Sequence, residues 1–378
     1  MHNIPDTYLL NILKGSLFIG EYKSPLEGEY IQVIKAAEEQ KILALVSDSF
    51  QTTEGSNVVI QTKAYYMKMV YEQSRLVKMF RDYNIPLVIL KGTAAAMYYP
   101  KPYLRTMGDV DFVVSYENFD EARSVLETNG YAFRGDCGDD RDYEYIKNDV
   151  VFELHHHFSK DPAVEKYVQD GIKNSVTGCV TGTEFPCLPP AENGLVILDH
   201  IRHHFTTSGI GLRHLIDWMM YAHSVLNDEF WNDRFQPMAK AAGLERFAIV
   251  LTATCKKWLG MPDDYSWCQG VDDDLMDQTI EYFLANGNFG RNLERRGTKV
   301  ENVSAELKSK GRFRYLQSTG EMTWPALKKH PWLRPFAWIY QSCRFAKRGF
   351  VVLFRNKGFK KELEDGLSKG EYYRKLGL

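Results

Sequence analysis

Two aspartates on an apolar run constrain this chain more than any other feature. Asp109-Val110-Asp111-Phe112-Val113-Val114 is preceded by a second apolar run, Val88-Ile89-Leu90, which opens into Lys91-Gly92-Thr93. Runs of this length and β-branched content predict short buried strands rather than helices. Side chains alternate along a strand, so Asp109 and Asp111, two apart, are expected on the same face. Carboxylates forced together repel, and a divalent cation relieves them. Mg²⁺ is commonly held by one or two carboxylates together with substrate phosphates. Gly92 allows close backbone approach, Thr93 offers a hydroxyl, and Ala94 to Tyr98 can start a helix whose N-terminus draws phosphate.

The rest of the chain reads as support. Residues 6–50 carry apolar positions at helical spacing and predict two or three short helices. A further helix is expected from about Ala64 to Tyr83, with Thr62 as a candidate cap, ending at Asn84-Ile85-Pro86. After the second strand come a helix over 118–129, a hairpin around Arg134 to Asp142, and a strand from Val150 to Phe158. That strand would carry Val151, Glu153, His155 and His157 on one face. From Pro189 onward partial apolar stripes predict helices over 192–205, 212–226, 230–242, 246–259 and 274–285. A polar loop follows over 286–304, then a basic helix around 337–354.

Composition excludes several classes. With 378 residues, 44% hydrophobic and 25% charged, the chain is long enough for one large or two moderate domains of ordinary globular character. Six scattered cysteines form no Cys-x-x-Cys pair and give neither a zinc ribbon nor a disulfide framework. The N-terminus lacks the pattern of a signal peptide, and no apolar run reaches the length of a spanning helix, so a cytoplasmic protein is expected. Net charge is −2, but from Ala305 onward 17 Lys and Arg face 6 Asp and Glu. That leaves about +11 on the tail and about −13 on the rest, and suggests a tail packed on the acidic body. The basic aromatic tail could instead bind RNA or an anionic surface, a reading the charge complementarity does not favour.

The Lys-Gly turn, Tyr99-Pro100, Arg105 and Gly108-Asp109-Val110-Asp111 resemble the DNA polymerase β-like nucleotidyltransferase superfamily, and within it the uncharacterised nucleotidyltransferase subfamily. Thr93 stands where the superfamily has a turn serine, and the gap to Asp109 is longer than usual. The resemblance implies an α+β fold, a mixed sheet with helices followed by a mostly helical region. The expected division is an N-terminal helical segment (1–62), the core (63–188), a helical domain (189–300) and the basic tail (301–378).

The resemblance also implies a third carboxylate on a neighbouring strand, for which Glu153 in Glu153-Leu154-His155 is the candidate. It makes Asp109, Asp111 and Glu153 the expected catalytic and metal-binding residues. Lys91, Gly92, Thr93 and Arg105 become the expected nucleotide-binding set, and His155, His204, Arg213 and Asp217 candidate substrate contacts. For Lys91 and Arg105, pairing with the aspartates is an equal alternative; for Arg213 and Asp217, four apart on one helix, a surface salt bridge is the commoner outcome of such spacing. The implied reaction moves a nucleoside monophosphate from an NTP to a hydroxyl or amine of a small acceptor with Mg²⁺ or Mn²⁺, releasing pyrophosphate. Its alternatives are a toxin-type enzyme acting on tRNA or protein, and a non-catalytic nucleotide-binding relative. A hydrolase built on His200, His203, His204 and His214 ranks last, because Ile201 stands where a His-Glu-x-x-His site needs its glutamate.

Overall fold

The structure is a computed structural model. It describes residues 4–18, 27–50, 52–136, 141–287 and 359–378, with short stretches between 305 and 342. Among these, strands β1 (Leu87–Leu90), β2 (Val110–Val114), β3 (Ala132–Asp136), β4 (Asp142–Lys147), β5 (Val150–His155), β6 (Val176–Val180) and β7 (Thr183–Cys187) form one mixed sheet in the order β3-β4-β5-β2-β1-β7-β6. Both apolar runs of the motif are therefore strands. They pair antiparallel with Leu90 opposite Asp111, while β2 and β5 run parallel with Asp111 opposite Glu153 and Val113 opposite His155.

Strand alternation decides which face does what. Val110, Phe112 and Val114 on β2, with Val150, Phe152 and Leu154 on β5, leave one face of the sheet and join its apolar core. Helix α4 (Thr53–Asp82) contributes Met69, Val70, Leu76, Val77 and Phe80 to the same core, and helix α6 (Phe119–Thr128) contributes Phe119, Ala122, Val125 and Leu126. Burying each large side chain is worth about 1.5–3 kcal/mol, so this face fixes the register. A slip of one residue would drive Asp111 into that core. With the register fixed, Asp111, Glu153 and His155 must emerge on the opposite face.

Helix α4 begins at Thr53, capped by Thr52, whose hydroxyl accepts from the Gly55 amide at 3.0 Å, and not near Thr62. Most positions between 53 and 65 are exposed, so no apolar stripe marks that part. The helix runs unbroken through residues 62 and 63. Helices α1 (Ile4–Leu17), α2 (Glu27–Glu39) and α3 (Leu43–Asp48) precede it, in the number expected. The β4–β5 turn is made by Asn148 and Asp149 with φ of 52° and 56°, the double left-handed conformation that matches strand twist in a two-residue hairpin.

Helix α7 (Pro162–Lys173) and the β6–β7 hairpin were not legible in the sequence, though Asp161 caps α7 through the Ala163 and Val164 amides. Helix α9 (Leu212–Val225) packs against α5 (Gly92–Ala96) and α8 (Pro190–Thr206). Further helices span Glu245–Leu259 and Asp273–Asn286, close to expectation. The expected helix over 230–242 is broken instead into Asp228–Phe230, a π turn Trp231–Phe235 and Gln236–Ala241.

By its internal contacts the chain divides into two units, Met1–Leu293 and Glu294–Leu378. In the second, residues 334–342 are helical and a helix spans Phe359–Leu376, which the sequence reading did not anticipate. Most of the expected polar loop (288–304) and the second half of the expected basic helix (343–354) lie outside the described residues. No helix among the described residues is long and apolar enough to cross a membrane.

Candidate functional site

Lys91 is the pivot of the motif. It follows β1 and precedes α5 with φ 47° and ψ −122°, a left-handed conformation that costs a non-glycine residue on the order of 1–3 kcal/mol. The turn aims its ammonium across the sheet: Nζ lies 2.5 Å from Asp111 Oδ1 and 4.0 Å from Glu153 Oε2. Behind it Gly92 backs onto the incoming strand. A Cβ there would meet Met107 Cε at 3.3 Å and the Asp109 carbonyl oxygen at 3.6 Å, tight enough to favour glycine.

Asp111 is almost fully buried, and its Oδ1 also contacts His155 Nε2 at 3.0 Å. The same His155 nitrogen lies 3.8 Å from Glu153 Oε2. Asp109 falls one residue before β2 begins and is partly exposed at the strand mouth, so the two aspartates do not share a regular strand as expected. They remain electrostatically linked. The Asp111 charge and then burial raise the Asp109 carboxyl above its ordinary value, against the opposing pull of Lys91 and Arg213. Burial and then Asp111 raise Glu153 well above the carboxylate range. For Asp111 itself, burial alone would act upward, but Lys91 and His155 outweigh it and hold it well below. Burial likewise pulls the Lys91 ammonium down, and the three carboxylates more than restore it. One lysine thus serves three carboxylates.

Arg105 takes a different position from the one expected of a phosphate contact. Its Nε and Nη2 donate to the two oxygens of Asp217 at 2.7 and 2.8 Å, and Tyr99 Oη donates to the same carboxylate at 2.7 Å. Both charged side chains are 6% exposed. The pair fastens the loop before β2 to α9 and is not open to a ligand. Thr93 is also turned inward: it is fully buried, and its hydroxyl donates to Gln73 Oε1 on α4 at 2.6 Å. Arg213 donates to the Thr106 carbonyl at 3.2 Å, one turn from Asp217 on α9, and its charge reaches Asp109.

The helical histidines gather on the same side. The rings of His200 and His204 are 4.6 Å apart, and His214 lies 5.4 Å from His200 and 6.3 Å from His204. Burial first, and then the positive charge of Lys91 or Arg213 and the neighbouring imidazoles, push all three below the ordinary histidine value. Among the described residues, donor atoms converge at Asp111, Glu153 and His155, not at these helical histidines.

Sequence reasoning gave no role to Gln73, Tyr99 or Asn193, which hold the motif in place. Asn193 on α8 is wholly buried and donates to the Ala94 carbonyl and Tyr98 Oη, both at 2.9 Å. Tyr99 stands in the Tyr-Pro of the resemblance without an assigned role, and Asn193 was open to notice as a polar residue inside an apolar helical stripe.

No curated protein sequence matches the chain. It is similar to a crystal structure of ANT(2″)-Ia in complex with adenylyl-2″-tobramycin, with 14% identity and a TM-score of 0.34 over 46% of this chain and 97% of that one, a likeness too distant to argue from. The family model described as uncharacterised nucleotidyltransferase matches residues 29–260, which include every strand of the sheet, the carboxylates and helices α8 and α9. More than half of the chain is thereby accounted for, and it belongs to the uncharacterised nucleotidyltransferase family.

Proposed function

We propose that this protein transfers a nucleoside monophosphate from an NTP to a hydroxyl or amine of a small-molecule acceptor, releasing pyrophosphate. The observation that carries the reading is a carboxylate centre with one close ammonium: Asp111 lies opposite Glu153 on adjoining strands, Lys91 Nζ lies 2.5 Å from Asp111 Oδ1 and 4.0 Å from Glu153 Oε2, and Asp109 stands two residues before Asp111. Such a carboxylate set fits a hard divalent cation, Mg²⁺ or Mn²⁺, held by Asp109, Asp111 and Glu153. When bound, that cation supplies charge stabilisation at the phosphoryl oxygens.

The chain's own residues do the rest. Lys91 leaves the carboxylates to meet the triphosphate, whose negative charge competes for its ammonium. Gly92 lets the nucleotide approach the backbone of the turn. The acceptor oxygen or nitrogen attacks the α-phosphorus, the bond to the β-phosphate bridging oxygen breaks, and pyrophosphate leaves with that electron pair. The acceptor proton passes to a Glu153 carboxylate oxygen. Arg213 and His204 face the acceptor, while Arg105, Asp217 and Thr93 act behind the site by holding its loops. This reading puts the nucleotide on the sheet and the acceptor against α8 and α9.

Binding and turnover of the four NTPs with Mg²⁺ or Mn²⁺, in wild type and in Asp109→Ala/Asp111→Ala, test the reading. Metal-dependent NTP binding that the double variant loses while keeping its circular dichroism spectrum is expected. Failure of well-folded wild type to bind any NTP overturns it.

A further inference from the structure

His155 is built into the carboxylate centre more deeply than a substrate contact would be. Its side chain is 4% exposed, it lies two residues after Glu153 on β5, and Val113 opposite it is two residues after Asp111 on β2. Alternation therefore sends Asp111, Glu153 and His155 out of one face at adjoining positions. One ring nitrogen, Nε2, points at Asp111 Oδ1 (3.0 Å) and Glu153 Oε2 (3.8 Å); the other, Nδ1, is buried with no hydrogen-bond partner. One donor atom from each of these three residues lies within 4.8 Å of the others.

We propose that His155 is itself a ligand of the cation held by Asp111 and Glu153, and that its nitrogen makes the centre prefer Mn²⁺ to Mg²⁺. The inference rests on the proposed function only in taking those two carboxylates as cation ligands. Two donors 3.0 Å apart can share one ion at bond lengths of about 2.1 Å and an angle of about 90°, the geometry of neighbouring octahedral positions. Lys91 Nζ competes for the same Asp111 oxygen and yields it when the ion enters. The donor chemistry gives the selectivity. Carboxylates accept Mg²⁺ and Mn²⁺ alike; imidazole suits Zn²⁺, Fe²⁺ and Ni²⁺ best, and Mn²⁺, the weakest binder of that first-row series, still takes a nitrogen donor more readily than Mg²⁺, which gives up water reluctantly. An imidazole among two carboxylates therefore adds affinity for Mn²⁺ and little for Mg²⁺. A ring that served only to orient Asp111 would hydrogen-bond it and leave the choice of ion unchanged.

The test uses the full chain loaded with substoichiometric Mn²⁺, read by pulsed electron paramagnetic resonance, beside Mn²⁺ and Mg²⁺ binding isotherms. Wild type is expected to show the nuclear modulation of a directly bound ¹⁴N, replaced by the ¹⁵N pattern when its histidines are ¹⁵N-labelled. In His155→Asn that modulation disappears, and Mn²⁺ binding weakens by at least the roughly 10–100-fold that losing a group behind the ligands costs, while Mg²⁺ binding changes far less. Absence of nitrogen modulation in wild type, failure of folded wild type to bind Mn²⁺, or modulation that persists in His155→Asn overturns the proposal. So does an equal loss of both ions. Should His155→Asn fail to fold, His155→Gln and the labelled wild type still decide. A nitrogen-bound Mn²⁺ in a protein that binds no NTP would keep this assignment and sink the transferase reading; NTP turnover without nitrogen modulation would do the reverse.

Discussion

Arg105 and Asp217 meet through two parallel hydrogen bonds with Tyr99 closing one side, while Asp109, Asp111 and Glu153 crowd around the one ammonium of Lys91. Arg105, Asp217 and Asp111 are buried and Glu153 and Asp109 partly so, and both clusters join segments distant in sequence. In the first, one charge answers one charge and the donors and acceptors match in geometry, so the desolvation of both ions is repaid. In the second, carboxylates outnumber the cations even with Arg213 acting on Asp109, and the backbone of Lys91 is held left-handed to bring its ammonium into reach. A balanced cluster holds a fold together. An unbalanced one persists because other contacts hold it, and it is completed by a ligand carrying the missing charge.

Substitutions in each cluster test this contrast. The largest expected effect is on activity: Asp111→Asn should lower NTP turnover on the order of 10³-fold, measured as initial rates at saturating metal. Its melting temperature should change far less than that of the next variant. Arg105→Met leaves the Asp217 carboxylate buried without its cation, and a loss of about 3–5 kcal/mol is expected in urea unfolding. Arg105→Met/Asp217→Leu should recover much of that loss, since no uncompensated charge remains. If the double variant is as unstable as the single one, the pair is not the balanced latch described here.

A third variant separates the two clusters directly. Lys91→Met removes the ammonium from the carboxylates, so the metal-free protein should melt lower, and added Mn²⁺ should restore more stability than it adds to wild type. A variant whose melting point ignores the metal would mean that the carboxylates do not need a cation. The smallest effect expected is that of Thr93→Val. Losing the hydrogen bond to Gln73 should cost about 1 kcal/mol with turnover per folded molecule nearly unchanged. A large loss of NTP affinity instead would return Thr93 to the phosphate-binding role its place in the motif first suggested.

Much of the fold was legible because its signals are local. β1, β2 and β5 announce themselves as short β-rich apolar runs, and α8 and α9 as apolar stripes. The first part of α4 was missed because it is exposed on most sides and so carries no stripe; its cap, Thr52, is visible only once the helix is known to begin there. The β6–β7 hairpin lies at the sheet edge with alternate residues exposed, and its Thr181-Gly182 turn, both residues left-handed, was the signal available. In the site, Glu153 came from the resemblance, and the structure sets it opposite Asp111 across two parallel strands.

Local pattern along the chain supplies the ingredients: two strands with aspartates at or just before the second, a lysine-glycine turn between strand and helix, and a third carboxylate followed two residues later by a histidine. Periodicity fixes these, because alternation along a strand and spacing along a helix are properties of the local backbone. Which charges answer which is settled by packing between distant segments. Asp217 is 112 residues from Arg105, and nothing in either segment distinguishes an arginine that binds phosphate from one that latches α9. Lys91 could equally have been left facing solvent. Pairing across such separations depends on the register of the sheet and on how the helices pack over it. Those are set by the apolar face of Phe112 and Phe152, opposite the one on which the charges meet.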